Sequence, residues 1–230
     1  MDDTLDPFEI RVLAVLAEKE GLTPDNYPLS LNALTNGCNQ LSSRDPVMQL
    51  SEDTVADVLA RLSEKKLVNT VNQSGSRVTK YEHRMRIKWT LEQDKITVLT
   101  MLMLRGLQTA GEIRTRSGRM HEFRSVAEVE TALQFLIDKY PPLVASVQAP
   151  GTREPRYGQL LGGEESFARE STASAYGGAA SSSGGAGRSS GGSSGADAER
   201  IAALEAEVAS LRADLATLSE EFAAFKRSFE

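Results

Sequence analysis

Apolar positions recur at helical spacing from Phe8 to Glu20, which predicts a helix over that stretch. A short second helix is predicted near Leu31–Cys38. Ser51 then reads as an N-cap, with Glu52 and Asp53 in the first turn, where the helix dipole favours acids. In that third helix Val55, Val58, Leu59 and Leu62 form one face, and Lys65 and Lys66 suit its C-terminus. "KLVNTVNQSGSRVTKYEHRM" predicts two short strands around a Gly-containing turn. The same order then recurs. A helix is predicted over about Leu91–Arg105, a short one near Ala110–Arg114 and another after Ser125, in "SVAEVETALQFLIDKY". "PLVASVQAPGTREPRYGQLLG" supplies strand, loop and strand.

Three helices and a hairpin, repeated, is the plan of the winged helix, a helix-turn-helix with a β-hairpin wing. The expected fold class is therefore α+β and mostly helical. It comprises two tandem winged-helix domains, residues 1–88 and 89–163, followed by a flexible linker and a C-terminal coiled-coil helix. A single irregular α+β domain is the alternative. The run Ile96, Val98, Leu99, Met101, Leu102, Met103, Leu104 covers more than one helix face and predicts a helix enclosed on all sides, between the two halves or between two protomers. Arg105 and Gly106 end it.

Beyond the repeat the pattern changes twice. Residues 164–198 read as a disordered Ser/Gly/Ala-rich linker, and 171–196 hold 9 Ser, 8 Gly and 6 Ala among 26 residues. "GGSSG" (191–195) matches G-x-S-x-G formally, but no strand precedes it and no helix follows, so no nucleophile elbow is expected. From 199 to 230, Ile201, Leu204, Val208, Leu211, Leu215, Leu218, Phe222, Phe225 and Phe229 alternate at spacings of 3 and 4, an unbroken coiled-coil seam. In a parallel pair Arg200–Glu205, Glu207–Arg212 and Glu221–Lys226 would be opposite in sign, and Asp214–Ser219 would not repel. Self-association through this seam is expected; a helix folded back on the globular part is the alternative.

Composition narrows the function classes. The formal net charge is −6 and there is one cysteine, which excludes an intrachain disulfide framework and points to a reducing compartment. "MDDTLDPFEI" lacks a basic segment followed by an apolar core, so no secretory signal is expected. The best apolar run, "ITVLTMLMLRG", falls short of a bilayer span. A cytoplasmic protein is expected. Cys38 lies among amides and hydroxyls in "SLNALTNGCNQLSSRDPVM", but only His83 and His121 could serve it as base, and a Cys/His zinc site needs more ligands than the chain holds. Cys38 is expected to be a small buried hydrophobe. Asn32, Asn36, Asn39, Gln40, Ser42, Ser43, Arg44 and Asp45 then form a hydrogen-bonded connection into Pro46, or a partner-binding surface. No catalytic residue, metal or cofactor is expected, and the protein is read as not an enzyme.

Charge is unevenly placed. Residues 1–76 carry 6 Lys+Arg against 12 Asp+Glu, whereas 77–124 carry 11 against 5. The third helix of each half, which in a helix-turn-helix enters the major groove, turns Glu52, Asp53, Asp57, Arg61 and Glu64 outward in the first half, and Glu128, Glu130, Thr131, Gln134 and Asp138 in the second. Such helices repel phosphates. The candidate nucleic-acid-binding residues are instead Arg77, Lys80, Arg84, Arg86 and Lys88, joined by Arg114, Arg116, Arg119 and Arg124 in one basic surface between the halves. A charged strand edge with no ligand would look the same. Tyr81, Trp89 and Phe123 read as core residues rather than stacking platforms.

"TPDNYPLSLNALTNGCNQLSSRDPVMQLSEDTV", "TRSGRMHEFRSVAEVE" and "EPRYGQLLGG" resemble blocks of the YceH family, bacterial proteins with two winged-helix domains and no established biochemical activity. The resemblance covers roughly residues 5–163. It implies the fold and almost nothing of the function. Leu41 stands where that family usually has a Lys, which puts in doubt any partner contact made by such a Lys. Two functions remain expected: a DNA-binding protein, with transcriptional regulation as its role, dimerised by its coiled coil, or a protein-interaction adaptor that does not bind DNA. Salt dependence separates them.

Overall fold

A computed structural model describes residues 4–72, 78–148 and 154–177. Helix α1 (Pro7–Leu22) starts at a capping box: the Asp6 carboxylate accepts from the Phe8 and Glu9 amides at 2.8 and 2.9 Å, and Glu9 returns the bond to the Asp6 amide at 2.9 Å. Pro7 sits at the first helical position, where its missing N–H costs nothing. The chain then passes through a short turn into β1 (Leu29–Ser30), α2 (Leu31–Cys38) and α3 (Glu52–Glu64). Ser51 caps α3 by accepting from the Thr54 amide at 3.1 Å, and Val55, Val58, Leu59 and Leu62 face inward. Strands β2 (Val68–Val71) and β3 (Lys80–His83) pair antiparallel, with Val68 opposite His83 and Val71 opposite Lys80. The two-residue β1 joins the other edge of β3, giving the order β1-β3-β2. Two residues cannot show a strand periodicity, so neither β1 nor the single-turn α4 (Met85–Trp89) is expected from the pattern.

The second half repeats the order with α5 (Gln93–Arg105), α6 (Ala110–Ser117), α7 (Val126–Ile137) and an antiparallel pair, β4 (Val144–Val147) with β5 (Arg156–Gln159). Thr109 and Glu112 form a second capping box at α6. Beyond the repeat, α8 (Glu164–Gly177) occupies the opening of the stretch expected to be linker. It docks where β5 carries Gly158, since a Cβ there would stand 2.9 Å from the Phe167 ring. The seam from Ile201 to Phe229 lies outside the described residues.

Helices α1 and α5 are buried along their middle turns on every side, from Glu9 to Glu18 and from Ile96 to Leu104. A helix apolar all round must be enclosed, and each encloses the other. Around them α1 gathers α2 and α3, while α5 gathers α6, α7 and β5. The halves therefore share one hydrophobic cluster, and all described residues fall within one compact unit. Tyr81, Trp89 and Phe123 pack against or within that cluster, as expected.

Candidate functional site

Cys38 ends α2 fully buried, and burial pushes its thiol up to about 12, far from a nucleophile's range. In the polar segment after it, Arg44 and Asn39 hold the fold together, while Gln40, Ser42, Ser43 and Asp45 are exposed. Arg44, with its side chain wholly inaccessible, reaches back to Glu18 at 2.6 Å and donates to the carbonyls of Gly37 and Ser43 and to Gln40 Oε1. Burial raises the Glu18 carboxyl, but the hydrogen bond and charge of Arg44 outweigh it and hold the pKa below the ordinary value. Asn39 clamps Leu50 through both its amide groups at 2.7 and 2.8 Å, and the Asp45 amide donates to Leu104 of α5 at 2.8 Å. The connection ties α1, α2 and α5 together. Leu41 stands out from it, 81 % exposed.

The basic stretches are built on the β3–α4 corner and on α6 with the turn after it. His83 fixes the corner: its Nδ1 accepts from the Met85 amide at 3.2 Å, which leaves Nε2–H to donate to Glu20 at 3.1 Å. The His83 amide donates to the Tyr27 hydroxyl at 2.7 Å, and burial raises the Tyr27 pKa. Arg86, on the exposed face of α4, also reaches Glu20 at 3.1 Å and donates to Gln93. The hydrogen bond from His83 and the charge of Arg86 hold the Glu20 carboxyl below its ordinary value, against desolvation. Lys88 donates to the Lys65 carbonyl at 3.3 Å. Lys80 and Arg84 are half-buried beside them, and Arg77 lies outside the described residues.

On the other side, Arg114 donates to the Phe123 and Arg124 carbonyls at 3.2 and 3.1 Å, and Arg119 and Arg124 are exposed. Met120, beside Arg119, packs against Gly21, where an added Cβ would meet its side chain at 3.3 Å. One residue of each basic stretch therefore meets the last turn of α1, Arg86 at Glu20 and Met120 at Gly21, while Lys88 lies toward Thr4. Arg116 does not join them; it is held by Gln108 at 2.9 Å and Glu112 at 3.6 Å. The exposed carboxylates of α3 and α7 are where the periodicity placed them.

Two groups of functional interest escape sequence reasoning. Glu20 and His83 knit the corner to α1, and nothing in their spacing, 63 residues apart, announces it. A groove of about 540 Å³ lies between α1, the loop after α2, the end of α5, β5 and α8, and Arg11, Arg105, Arg156 and Glu170 line it. Arg11 carries a usable signal, a cation flanked by apolar residues within a helix that is apolar on all sides. Among the described residues no group of His, Cys, Asp and Glu is placed to hold a metal ion, and no helix is long and apolar enough to cross a membrane.

Comparison with known proteins agrees with the blocks that carried the resemblance. A family model described as "Protein of unknown function, DUF480" matches residues 5–152. A UPF0502 protein of Herminiimonas arsenicoxydans is 64% identical over 172 residues, 74% of this chain and 72% of that protein. One from Janthinobacterium is 69% identical over 160 residues, 69% of each chain. One from Citrifermentans bemidjiense is 47% identical over 169 residues, 73% of this chain and 78% of its own. With the match spanning both halves of the repeat, the chain belongs to the DUF480 (UPF0502) family.

Proposed function

We propose that the two halves are winged helices fused through α1 and α5, and that the protein is a non-enzymatic DNA-binding protein that grips phosphates from the end where α1 stops. The observation that carries this reading is that the β3–α4 corner meets Glu20 through Arg86 and the α6–α7 turn meets Gly21 through Met120. A basic stretch from each half thus reaches the same end of α1, with Lys80 and Arg84 in one and Arg114, Arg119 and Arg124 in the other, whereas Lys88 lies toward Thr4 at the other end. The acidic outer faces of α3 and α7 argue against docking either helix in a major groove. Contact would be with backbone phosphates, so affinity would be steep in salt and weak in sequence preference. The seam of residues 201–229 would dimerise the chain and add avidity.

The test is fluorescence anisotropy of a labelled random-sequence duplex titrated with the full chain at two salt concentrations. Salt-sensitive binding is expected, and Arg84→Ala with Arg119→Ala should lower the log–log salt slope by roughly two, about one per lost phosphate contact. Absence of binding at low salt would overturn the reading.

A specific observation favours a second reading, a protein-interaction adaptor. Phe135 is 42 % and Tyr140 98 % exposed on or just after α7, and Lys95 and Lys139 stand 5.2 and 5.5 Å from the Phe135 ring centre. Exposed aromatics on one element are the composition of a protein-interface core.

A further inference from the structure

The groove beside α8 is lined by more positive charge than its own carboxylates answer. Arg11, only 1 % exposed, donates from its two terminal nitrogens to the Cys38 and Pro46 carbonyls, at 3.2 and 2.6 Å, and its Nε has no hydrogen-bond partner among the described residues. A buried, unanswered donor is costly enough to need a reason. Arg105 has no carboxylate partner among the described residues; its pKa is lowered by burial and by the nearby charges of Arg116 and Arg44. Arg156 is 42 % exposed, with Glu112 at 3.4 Å and the Leu107 carbonyl at 3.1 Å. Against these stand Asp45 and Glu170.

Glu170 shows what the groove accepts. Its Oε1 accepts from the Leu107 amide at 3.0 Å, across 63 residues, and it has no Arg partner among the described residues. Gly106, at φ +68°, makes the space: a Cβ there would collide with the same oxygen. Gly106 and the Leu107 N–H thus form a cradle for one carboxylate oxygen, with Arg105 adjacent in the chain. The rest of the lining is apolar, contributed by Ile10, Met48, Leu102, Met103 and Leu107, and the volume of about 540 Å³ suits a small molecule.

We propose that this groove is a binding site for a small amphiphilic carboxylate, whose charged end displaces Glu170 from the Leu107 amide and whose apolar body lies along α1 and α5. Glu170 is then a resident mimic of the ligand, carried on α8. Arg105, with no carboxylate partner among the described residues, favours an anion over a neutral or cationic amphiphile. The Leu107 amide works against the burial and the Asp45 charge that raise the Glu170 carboxyl there, and the Arg11 Nε supplies a donor. The proposal is independent of DNA binding and does not fall with it.

The experiment is ¹⁵N NMR of the full chain titrated with octanoate, following the Leu107 amide and the Arg11 Nε–H, with octanol and octylammonium as neutral and cationic controls. Saturable shifts of both signals with octanoate alone are expected. Glu170→Gln keeps the shape and removes the resident charge, and should bind octanoate several-fold more tightly; Arg105→Ala should bind it at least tenfold more weakly. Octanol shifting the same signals as strongly, or no saturable shift in either the native chain or Glu170→Gln, would overturn the site. Unchanged affinity in Glu170→Gln would overturn the displacement. Should Arg105→Ala fail to fold, Arg105→Gln, which removes the charge and keeps a polar stem, and the Glu170→Gln arm still decide.

Discussion

At the scale of the residue, buried charges show how polar side chains can serve a core. Arg44 satisfies its guanidinium with Glu18, with the Gly37 carbonyl of α2 and with Gln40 and Ser43 of the loop, so loss of Glu18 would leave a buried cation without a carboxylate. Arg44→Ala should cost about 3–5 kcal/mol, measured by denaturant unfolding, because the buried Glu18 would keep only Lys19, at 3.2 Å, and the Gly37 carbonyl would lose its donor. Replacing both together, as Glu18→Leu with Arg44→Met, should cost far less, and the cycle would isolate the pairing energy. The acid limb of stability has a definite sign. Glu18 and Glu20 both titrate below their ordinary value in the folded chain, Glu18 through Arg44 and Glu20 through His83 and Arg86. Their contribution is fully present above the unfolded carboxylate pKa and is lost as pH falls through the lowered folded values. Melting temperature should therefore drop as pH is taken below about 4.5, a carboxyl's unfolded range. The drop should be smaller in Glu20→Gln.

At the scale of the element, the helix starts are legible because caps are local. Ser51 needs only the Thr54 amide, three residues on, and Ser51→Ala should cost about 1 kcal/mol in chemical denaturation. The pairing of helices obeys a different logic. Gly37 lies in α2, where glycine weakens a helix, because an added Cβ would stand 2.6 Å from Val15 Cγ1 of α1. Gly37→Ala should therefore destabilise by about 1–3 kcal/mol, although alanine is the better helix former. Helix α8 reads as linker from sequence because its Ser, Ala and Glu blend into the Ser/Gly/Ala-rich stretch on its C-terminal side. What fixes it is a contact with Gly158 on β5 and the Glu170 bond to Leu107, which spans 63 residues.

At the scale of the whole molecule, the sharing of one core by two similar halves predicts cooperative unfolding. Leu13→Ala in α1 and Leu99→Ala in α5, both at fully buried positions, should each cost about 2–5 kcal/mol and lower the same single thermal transition. Two separate transitions, each moved by one substitution only, would refute a shared core. The same arrangement explains why sequence does not show where the two basic stretches lie: Arg86 of one and Met120 of the other reach Glu20 and Gly21 of the same helix, contacts that span 66 and 99 residues. It also separates Arg116 from the cations beside it in the chain, since Gln108 and Glu112 hold that guanidinium locally.

The sequence by itself determined which residues form α1 to α3 and α5 to α7, the two hairpins and the outward acids of α3 and α7, because periodicity and capping act within a few residues. It also marked α5 as enclosed, though not by what. Only the tertiary structure decided that α1 encloses it, that Arg11 and Arg44 are buried, that Glu20 and His83 join the hairpin corner to α1, and that α8 carries Glu170 to Leu107. These are contacts between positions far apart in the chain, and their energies depend on which surfaces meet rather than on any local pattern.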